Sequence, residues 1–368
     1  MSMMETVSDR MIADLPLHSY HSKLGAKFGH FGSWNVPLYY SSIMEEHRQV
    51  RSRAGLFDIS HMGEFWIEGE EAERALDQLL PRNIPKLEPS QAVYSPLLNH
   101  EGGFVDDVIV YRVNQQRFLI IVNATNIEKD ARWIGGHLRG RVSFQDESAS
   151  TGLLALQGPL STEILGRCFK PERLPQKNFR FTEVEGYLIA RTGYTGELGY
   201  EILSPLTHLP QLWETIVSAA KEDELKAIGF GARDTLRFEA GMLLYGQDMD
   251  ETVNPFEAGV DWAVDMNKGD FIGKEALVQS RQKGLDKKLV GLEIDGRAIA
   301  RHGCPILSEA ERVGEVSSGV FSPTFSKSLA MGYVSTQLPR LGCPLKVRVR
   351  EREVTAKVVS LPFYTRKK

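Results

Sequence analysis

The segment Gly102-Gly103-Phe104-Val105-Asp106-Asp107-Val108-Ile109-Val110-Tyr111 puts two carboxylates at the head of an otherwise apolar strand, straight after a glycine pair that has to turn the chain. A strand of this kind belongs in a core. An ionised carboxylate loses several kcal/mol of hydration there unless something offsets the loss. Side chains alternate faces along a strand, so Asp107, Ile109 and Tyr111 look one way while Asp106, Val108 and Val110 look the other. The doublet is therefore one acid on each face of a sheet, not a pair poised across one bond, and one of the two needs an explanation.

The surroundings of that strand repeat a simple grammar. Ser41 to Ser52 reads as a helix, Gly63 to Glu68 alternates like a strand, and Glu70 to Leu80 has helical spacing with Ala72 and Leu76 on one face. Val93 to Leu98, Val105 to Val113 and Arg117 to Asn123 are further strands. A helix from about Asn126 to Leu138 follows, opened by Thr125-Asn126-Ile127-Glu128, which fits a capping box. This order describes a compact α+β unit. A similar order recurs: a strand at Leu153 to Leu156, a hairpin around Glu185-Gly186, a strand at Tyr200 to Leu203, and helices over Leu209 to Glu222 and Ala232 to Ala240. Asp265 to Lys288 is polar and helical. Beyond it, short β-like segments at Leu289–Ile294, Val313–Val316, Leu329–Val334, Leu345–Val349 and Val354–Val359 suit a small barrel or sandwich. These textures place a boundary near residue 280, with 61–147 inserted between an N-terminal arm (about 1–60) and a second unit (148–280).

Bulk properties exclude several functions. The 368 residues carry a net charge of −4, with 42% hydrophobic and 25% charged residues, which lacks the basic excess of a nucleic-acid binder. No apolar run reaches the roughly 18 residues of a membrane span. Met1 to Leu17 holds Glu5, Asp9 and Asp14 without an apolar core, unlike a signal or transit peptide, so a cytoplasmic, bacterial-type location is expected. Cys168, Cys304 and Cys343 are isolated, which argues against a disulfide framework or zinc site.

Three segments carry polar chemistry. Arg191-Thr192-Gly193-Tyr194-Thr195-Gly196-Glu197-Leu198-Gly199-Tyr200-Glu201 has glycines at three-residue spacing but not the pattern of a dinucleotide fold. As a structural loop it is unremarkable; as a loop approaching a flat heterocycle, its polar aromatics and acids fit. Strand alternation sets Glu201 opposite Tyr200, and an ionised carboxylate accepts two parallel hydrogen bonds of the kind an aminopyrimidine edge donates. In Gly229-Phe230-Gly231-Ala232-Arg233-Asp234-Thr235-Leu236-Arg237, Arg233 opens a helix against the helix dipole and calls for an anionic partner. Asp234 or Glu239 could supply it internally, and a ligand carboxylate is the competitor. The histidines His18, His21, His30, His47 and His61 show no metal-binding spacing and read as packed or solvated.

Taken in order, these motifs resemble the aminomethyltransferase (T-protein) family of the glycine cleavage system. The resemblance runs through Trp34 with Pro37-Leu38-Tyr39-Tyr40, Gly55-Leu56-Phe57-Asp58-Ile59-Ser60-His61-Met62-Gly63, and Gly102 to Asp107. It continues through Val122-Asn123-Ala124, Arg191 to Glu201, Gly231 to Asp234, Tyr245-Gly246-Gln247-Asp248-Met249-Asp250-Glu251, Asp270 to Glu275, Phe321-Ser322-Pro323-Thr324 and Pro362-Phe363-Tyr364.

The resemblance implies an α+β, three-domain cloverleaf: two ferredoxin-like α+β units and a C-terminal β-barrel (281–368) around a central folate channel. It implies transfer of the methylene of an aminomethyl group, carried on the lipoyl arm of the H-protein, to tetrahydrofolate as co-substrate. Ammonia and dihydrolipoyl H-protein are released, and no metal is called for. The partners it implies are lipoylated H-protein and the other glycine cleavage components, not a nucleic acid or membrane. Asp107 is the acid the resemblance selects for catalysis. Met62, Tyr94, Leu119, Ile121, Asn123, Tyr194, Glu201, Arg233 and Trp262 are the folate-binding positions it selects. Leu119, Ile121 and Asn123 alternate and so share a face. Two other readings use the same fold: a folate-dependent demethylase of a small methylated compound, and a non-catalytic folate-binding factor of iron–sulfur assembly. The latter carries a Lys-Gly-Cys-Tyr motif that none of the three cysteines here supplies.

Overall fold

The computed structural model describes residues 12–337 and 340–366. The stretch read above for targeting signals lies mostly outside them.

Two sheets stand face to face. The first has six strands in the order Phe181–Val184, Tyr187–Ala190, Gly199–Pro205, Thr151–Gln157, Ala54–Asp58 and Leu225–Ala227, all antiparallel except the last pair. Its central strands are buried on both faces, yet alternation still decides which core each residue enters. Leu154 and Leu156 pack outward against helices Ser161–Cys168 and Leu209–Ala219, while Leu153 and Ala155 point inward. The hairpin at Glu185-Gly186 is a two-residue turn with both φ positive, at 56° and 86°, as a tight turn matching strand twist demands.

The second sheet is antiparallel throughout, in the order Gln91–Leu98, Phe104–Asn114, Arg117–Val122, Gly63–Glu68 and Ser143–Asp146. Phe65, Ile67, Val108, Val110, Phe118 and Ile120 form its outer core with helices Ala72–Leu79 and Ile127–His137. Tyr111, Leu119 and Ile121 turn inward to meet Phe57, Ile59, Leu153 and Ala155 of the first sheet. Pro96 sits opposite Asp107 on the edge strand, the place where a missing N–H costs least.

A closed six-stranded barrel completes the molecule: Lys287–Ile294, Lys327–Ser335, Glu311–Ser322, Pro305–Ser308, Pro344–Val349 and Arg352–Val359. Pro305–Ser308 is the strand that sequence texture did not reveal; it is four residues long and opens with proline. The polar 265–288 segment is helical only over Lys274–Lys283, between Gly273 at φ 85° and Gly284 at φ 86°. Both glycines take a conformation that L side chains avoid and so bound the helix. The expected capping box at Thr125 does not form. Helix Ile127–His137 follows a short 3-10 turn, its N-cap residue Asn126 makes no capping bond, and the Asn126 amide donates instead to Asp106.

Candidate active site

Where the two sheets part beneath the barrel, a cavity of about 1010 Å³ opens. Each wall comes from a different element. The second sheet gives Tyr94, Asp107, Ile109, Tyr111 and Ile121; the first gives Leu153 and Glu201. Helix Phe230–Glu239 contributes Phe230 and Arg233, and the barrel closes the space with Lys288 to Gly291 and Val358 to Leu361.

The two members of the acid doublet have opposite fates, as alternation requires. Asp106 is fully buried on the helix side and accepts from the Asn123 backbone N–H (3.0 Å), the Asn123 amide (2.8 Å) and the Asn126 amide (2.8 Å). Three donors offset the loss of hydration there. Asp107 faces the cavity with Tyr111. Its Oδ1 accepts from the Asn123 amide at 2.7 Å, and Tyr94 is a second hydrogen-bonding neighbour. Burial, and then the Asp106 charge, push the Asp107 carboxyl up to about 7, against the pull of Asn123 and Tyr94. It is thus able both to take and to hold a proton near neutral pH.

The glycine pair ahead of the doublet serves two purposes. Gly102 turns at φ 84°. Gly103 lies so close to the next loop that a Cβ there would sit 1.8 Å from the Glu251 carbonyl oxygen. The head of the acid strand is therefore pressed directly onto the 250–253 turn, where the Asp250 and Val253 carbonyls both accept from the Phe104 N–H.

Glu201 lies across the cavity. The Thr192 hydroxyl donates to its Oε2 at 2.5 Å, and burial raises its pKa, opposed by Thr192 and then Arg233. The loop carrying Thr192 wraps the Gln157 amide: Thr195 donates to Gln157 Oε1 (2.9 Å) and Gln157 Nε2 donates to the Thr192 carbonyl (3.2 Å). Gly193 is required at that contact, since a Cβ would come 2.0 Å from Gln157 Oε1.

Arg233 stacks over the Tyr194 ring at 4.8 Å. Neither internal partner open to it in the sequence takes it. Asp234 pairs with Arg237 at 2.8 Å, and Glu239 holds Arg51 (3.0 Å) and His47 (3.2 Å). Among the described residues no carboxylate oxygen lies within 4.0 Å of the Arg233 guanidinium. Burial draws its pKa down, with Tyr194 and Glu201 acting the other way. Arg237, by contrast, is buried against Asp248 and Asp234 and is structural.

Met62, Tyr94, Asp107, Ile121, Asn123, Tyr194, Glu201, Arg233 and Trp262 all line this one cavity. Trp262 is 60% exposed at its rim, tilted against Tyr94 at 5.4 Å between centroids. Leu119 is the one expected position that does not line the cavity. It shares the inward face with Ile121 but is fully buried against the opposite sheet and reaches no cavity wall. Alternation fixes the face of a residue, not its distance from the opening. Sequence reasoning passed over Thr192 and His61 as wall residues. His61 is buried at the wall, edge-on to Phe230 at 4.8 Å, and burial holds its pKa well below the ordinary value, so the ring is neutral. Its place in Asp58-Ile59-Ser60-His61-Met62, three residues beyond a fully buried strand, was the available signal.

Residues 17–268 match the family described as the GCVT N-terminal domain, and residues 287–365 match the glycine cleavage T-protein C-terminal barrel domain. The chain belongs to the glycine cleavage T-protein family. An aminomethyltransferase of Thermosynechococcus vestitus is 48% identical over 355 residues, covering 95% of this chain and 95% of that protein. One from Thermotoga maritima is 44% identical, covering 95% of this chain and 97% of its own. The crystal structure of the glycine cleavage system aminomethyltransferase T from Bartonella henselae superposes with a TM-score of 0.90 at 35% identity, over 96% of this chain and 98% of that one. The α+β architecture with its C-terminal barrel is that of the family, and the chain is an aminomethyltransferase-type enzyme.

Proposed function

We infer that the cavity binds tetrahydrofolate and that the enzyme transfers to it the methylene carbon of an aminomethyl group borne on the lipoyl arm of H-protein, with release of ammonia and dihydrolipoyl H-protein. The observation that carries this reading is the set of three ionisable groups around one cavity, each short of a full complement of partners: Asp107, Glu201 and Arg233. A pterin offers Glu201 an amino group and a ring N–H side by side, which a carboxylate oriented by Thr192 accepts together. A glutamate tail offers Arg233 the carboxylate that no described residue provides. Ile121, Met62 and Tyr194 give apolar and aromatic surface for the rings.

Asp107 then lies beside the reacting nitrogen. As that nitrogen adds to the methylene carbon it gains positive charge, which an anionic Asp107 stabilises. The same carboxyl, poised near neutral pH, takes up the proton that is lost. Asn123 and Tyr94 hold it in place through both events.

In this reading residues 1–60 with 148–280 and the inserted 61–147 unit form the folate-binding region, and 281–368 covers it. The protein works with H-protein and the other glycine cleavage components in the cytoplasm; no described helix is long and apolar enough to cross a membrane. The test is direct. Aminomethyl-loaded H-protein and tetrahydrofolate are incubated with the enzyme, and ammonia and methylene-tetrahydrofolate are measured. Their absence, with turnover of a small methylated compound instead, would establish the demethylase reading.

A further inference from the structure

Behind Asp107 lies a third acid that the reaction above does not use. Asp130 sits in helix Ile127–His137 one turn after Asn126, fully buried, with no hydrogen-bond donor on either carboxyl oxygen among the described residues. Residues four apart fall on one side of a helix: the N-cap Asn126 gives its amide to Asp106, and Asp106 is also the side-chain hydrogen-bonding neighbour of Asp130. Asp106 already receives three N–H donors, yet a carboxylate offers about four acceptor positions.

Two ionised carboxylates cannot stand side by side in a site with so few donors; one must keep its proton. Asp106 has the donors and is the anion. Asp130 has none and is the acid, and burial followed by the Asp106 charge raises its carboxyl accordingly. The Lys129 charge opposes that rise but is engaged elsewhere. Lys129 Nζ donates to the Tyr245 hydroxyl at 2.5 Å and lies 3.9 Å from Glu251. Asp250 belongs to the same loop, while Tyr94 and Tyr194 face Asp107 from the cavity side.

We propose that Asp130 is a positioning residue: it carries a proton, donates it in a hydrogen bond to Asp106, and so fixes the Asn123 amide that holds Asp107. The linkage is a single side chain. Asn123 Nδ2 donates to Asp106 Oδ1 at 2.8 Å and to Asp107 Oδ1 at 2.7 Å, and also reaches the Asp107 carbonyl at 3.2 Å. If Asp106 loses its donor from Asp130, it keeps its three N–H donors but not the restraint from the helix side, and the amide is pinned less firmly from behind. The proposal rests on the role of Asp107 stated above.

The experiment compares the full-length enzyme with Asp130→Asn and Asp130→Ala. Asparagine keeps a neutral donor of the same shape. It should leave turnover within about twofold and the acid limb of kcat unmoved, whereas alanine should cost about tenfold in kcat at unchanged folate KM. Infrared difference spectra at neutral pH should show a protonated-carboxyl C=O band that Asp130→Asn removes. Glu64, also buried and without a hydrogen-bond partner among the described residues, retains its own band as an internal reference. The proposal is overturned if no band is lost, or if Asp130→Ala turns over normally. It also fails if Asp130→Asn moves the acid limb down by about one pH unit, as deleting a negative charge beside Asp107 would. Should the alanine variant not fold, the asparagine variant and the spectra still decide. The infrared result does not depend on any reaction, so failure of the parent enzyme to transfer a one-carbon unit would count against the proposed function alone.

Discussion

Asp107→Asn is the most informative perturbation, because it has to move activity and stability in opposite directions. The substitution keeps the shape and both hydrogen-bonding neighbours: an amide oxygen accepts from Asn123 as Asp107 Oδ1 does at 2.7 Å, and the amide nitrogen can donate to the Tyr94 oxygen. It removes the charge and the proton-accepting lone pair. Folate binding should persist while turnover falls by about 10²–10⁴-fold, the usual contribution of a positioned base.

Stability should rise. The carboxyl goes from 3.8 unfolded to about 7 folded. Between those values the folded protein binds more protons than the unfolded chain, so its stability falls as pH increases through that window. At ~1.4 kcal/mol per pH unit the full gap corresponds to ~4 kcal/mol. Asp107 faces a cavity that water can enter, and screening leaves ~2 kcal/mol. Denaturant unfolding of wild type and variant at intervals from pH 4 to 8 measures this. The two curves should converge near pH 4, separate as pH rises with the variant the more stable, and run parallel above pH 7. A pH-independent difference, or wild type being the more stable at pH 8, would refute the placement of a destabilised carboxylate here. Near-normal turnover by the variant would refute its catalytic role.

Three further outcomes follow from the geometry. Glu201→Gln removes the charge from a cavity-facing acceptor, and loss of charge-assisted hydrogen bonds at ~1.5–3 kcal/mol should weaken tetrahydrofolate binding by about 10–100-fold in calorimetry. An unchanged affinity would take Glu201 out of the site. Leu119→Ala should lower unfolding free energy by about 2–5 kcal/mol and leave folate affinity untouched, because that side chain fills the layer between the sheets and touches no cavity wall. Gly103→Ala forces a Cβ to within 1.8 Å of the Glu251 carbonyl unless the strand head moves. It should cost about 1–3 kcal/mol of stability and reduce kcat more than folate affinity, since Gly103 leads directly into the strand that carries Asp107 four residues on.

What the sequence reveals and what it hides divide along a physical line. Periodicity and turn chemistry are local, so the inner and outer residues of Phe104–Asn114 and the turn at Glu185-Gly186 were legible. The opposite faces of Asp106 and Asp107 follow from the pleat alone. Depth is not local. Leu119 and Ile121 have the same orientation, similar chemistry and the same core cluster, yet only Ile121 also reaches the cavity wall. Nor is partner choice local. Asp234 follows Arg233 directly, yet it pairs one turn on with Arg237, whose other partner, Asp248, comes from the loop that follows the helix; this leaves Arg233 for a ligand. Asp130 is the most deeply hidden case. An acid in the first turn of a helix is what the helix dipole favours, and on sequence it calls for no comment. It becomes significant only when the neighbouring strand brings a second acid against it with three donors of its own. The doublet that opens the strand is thus two-thirds of a carboxyl triad, and its third member was disguised by an ordinary helix rule.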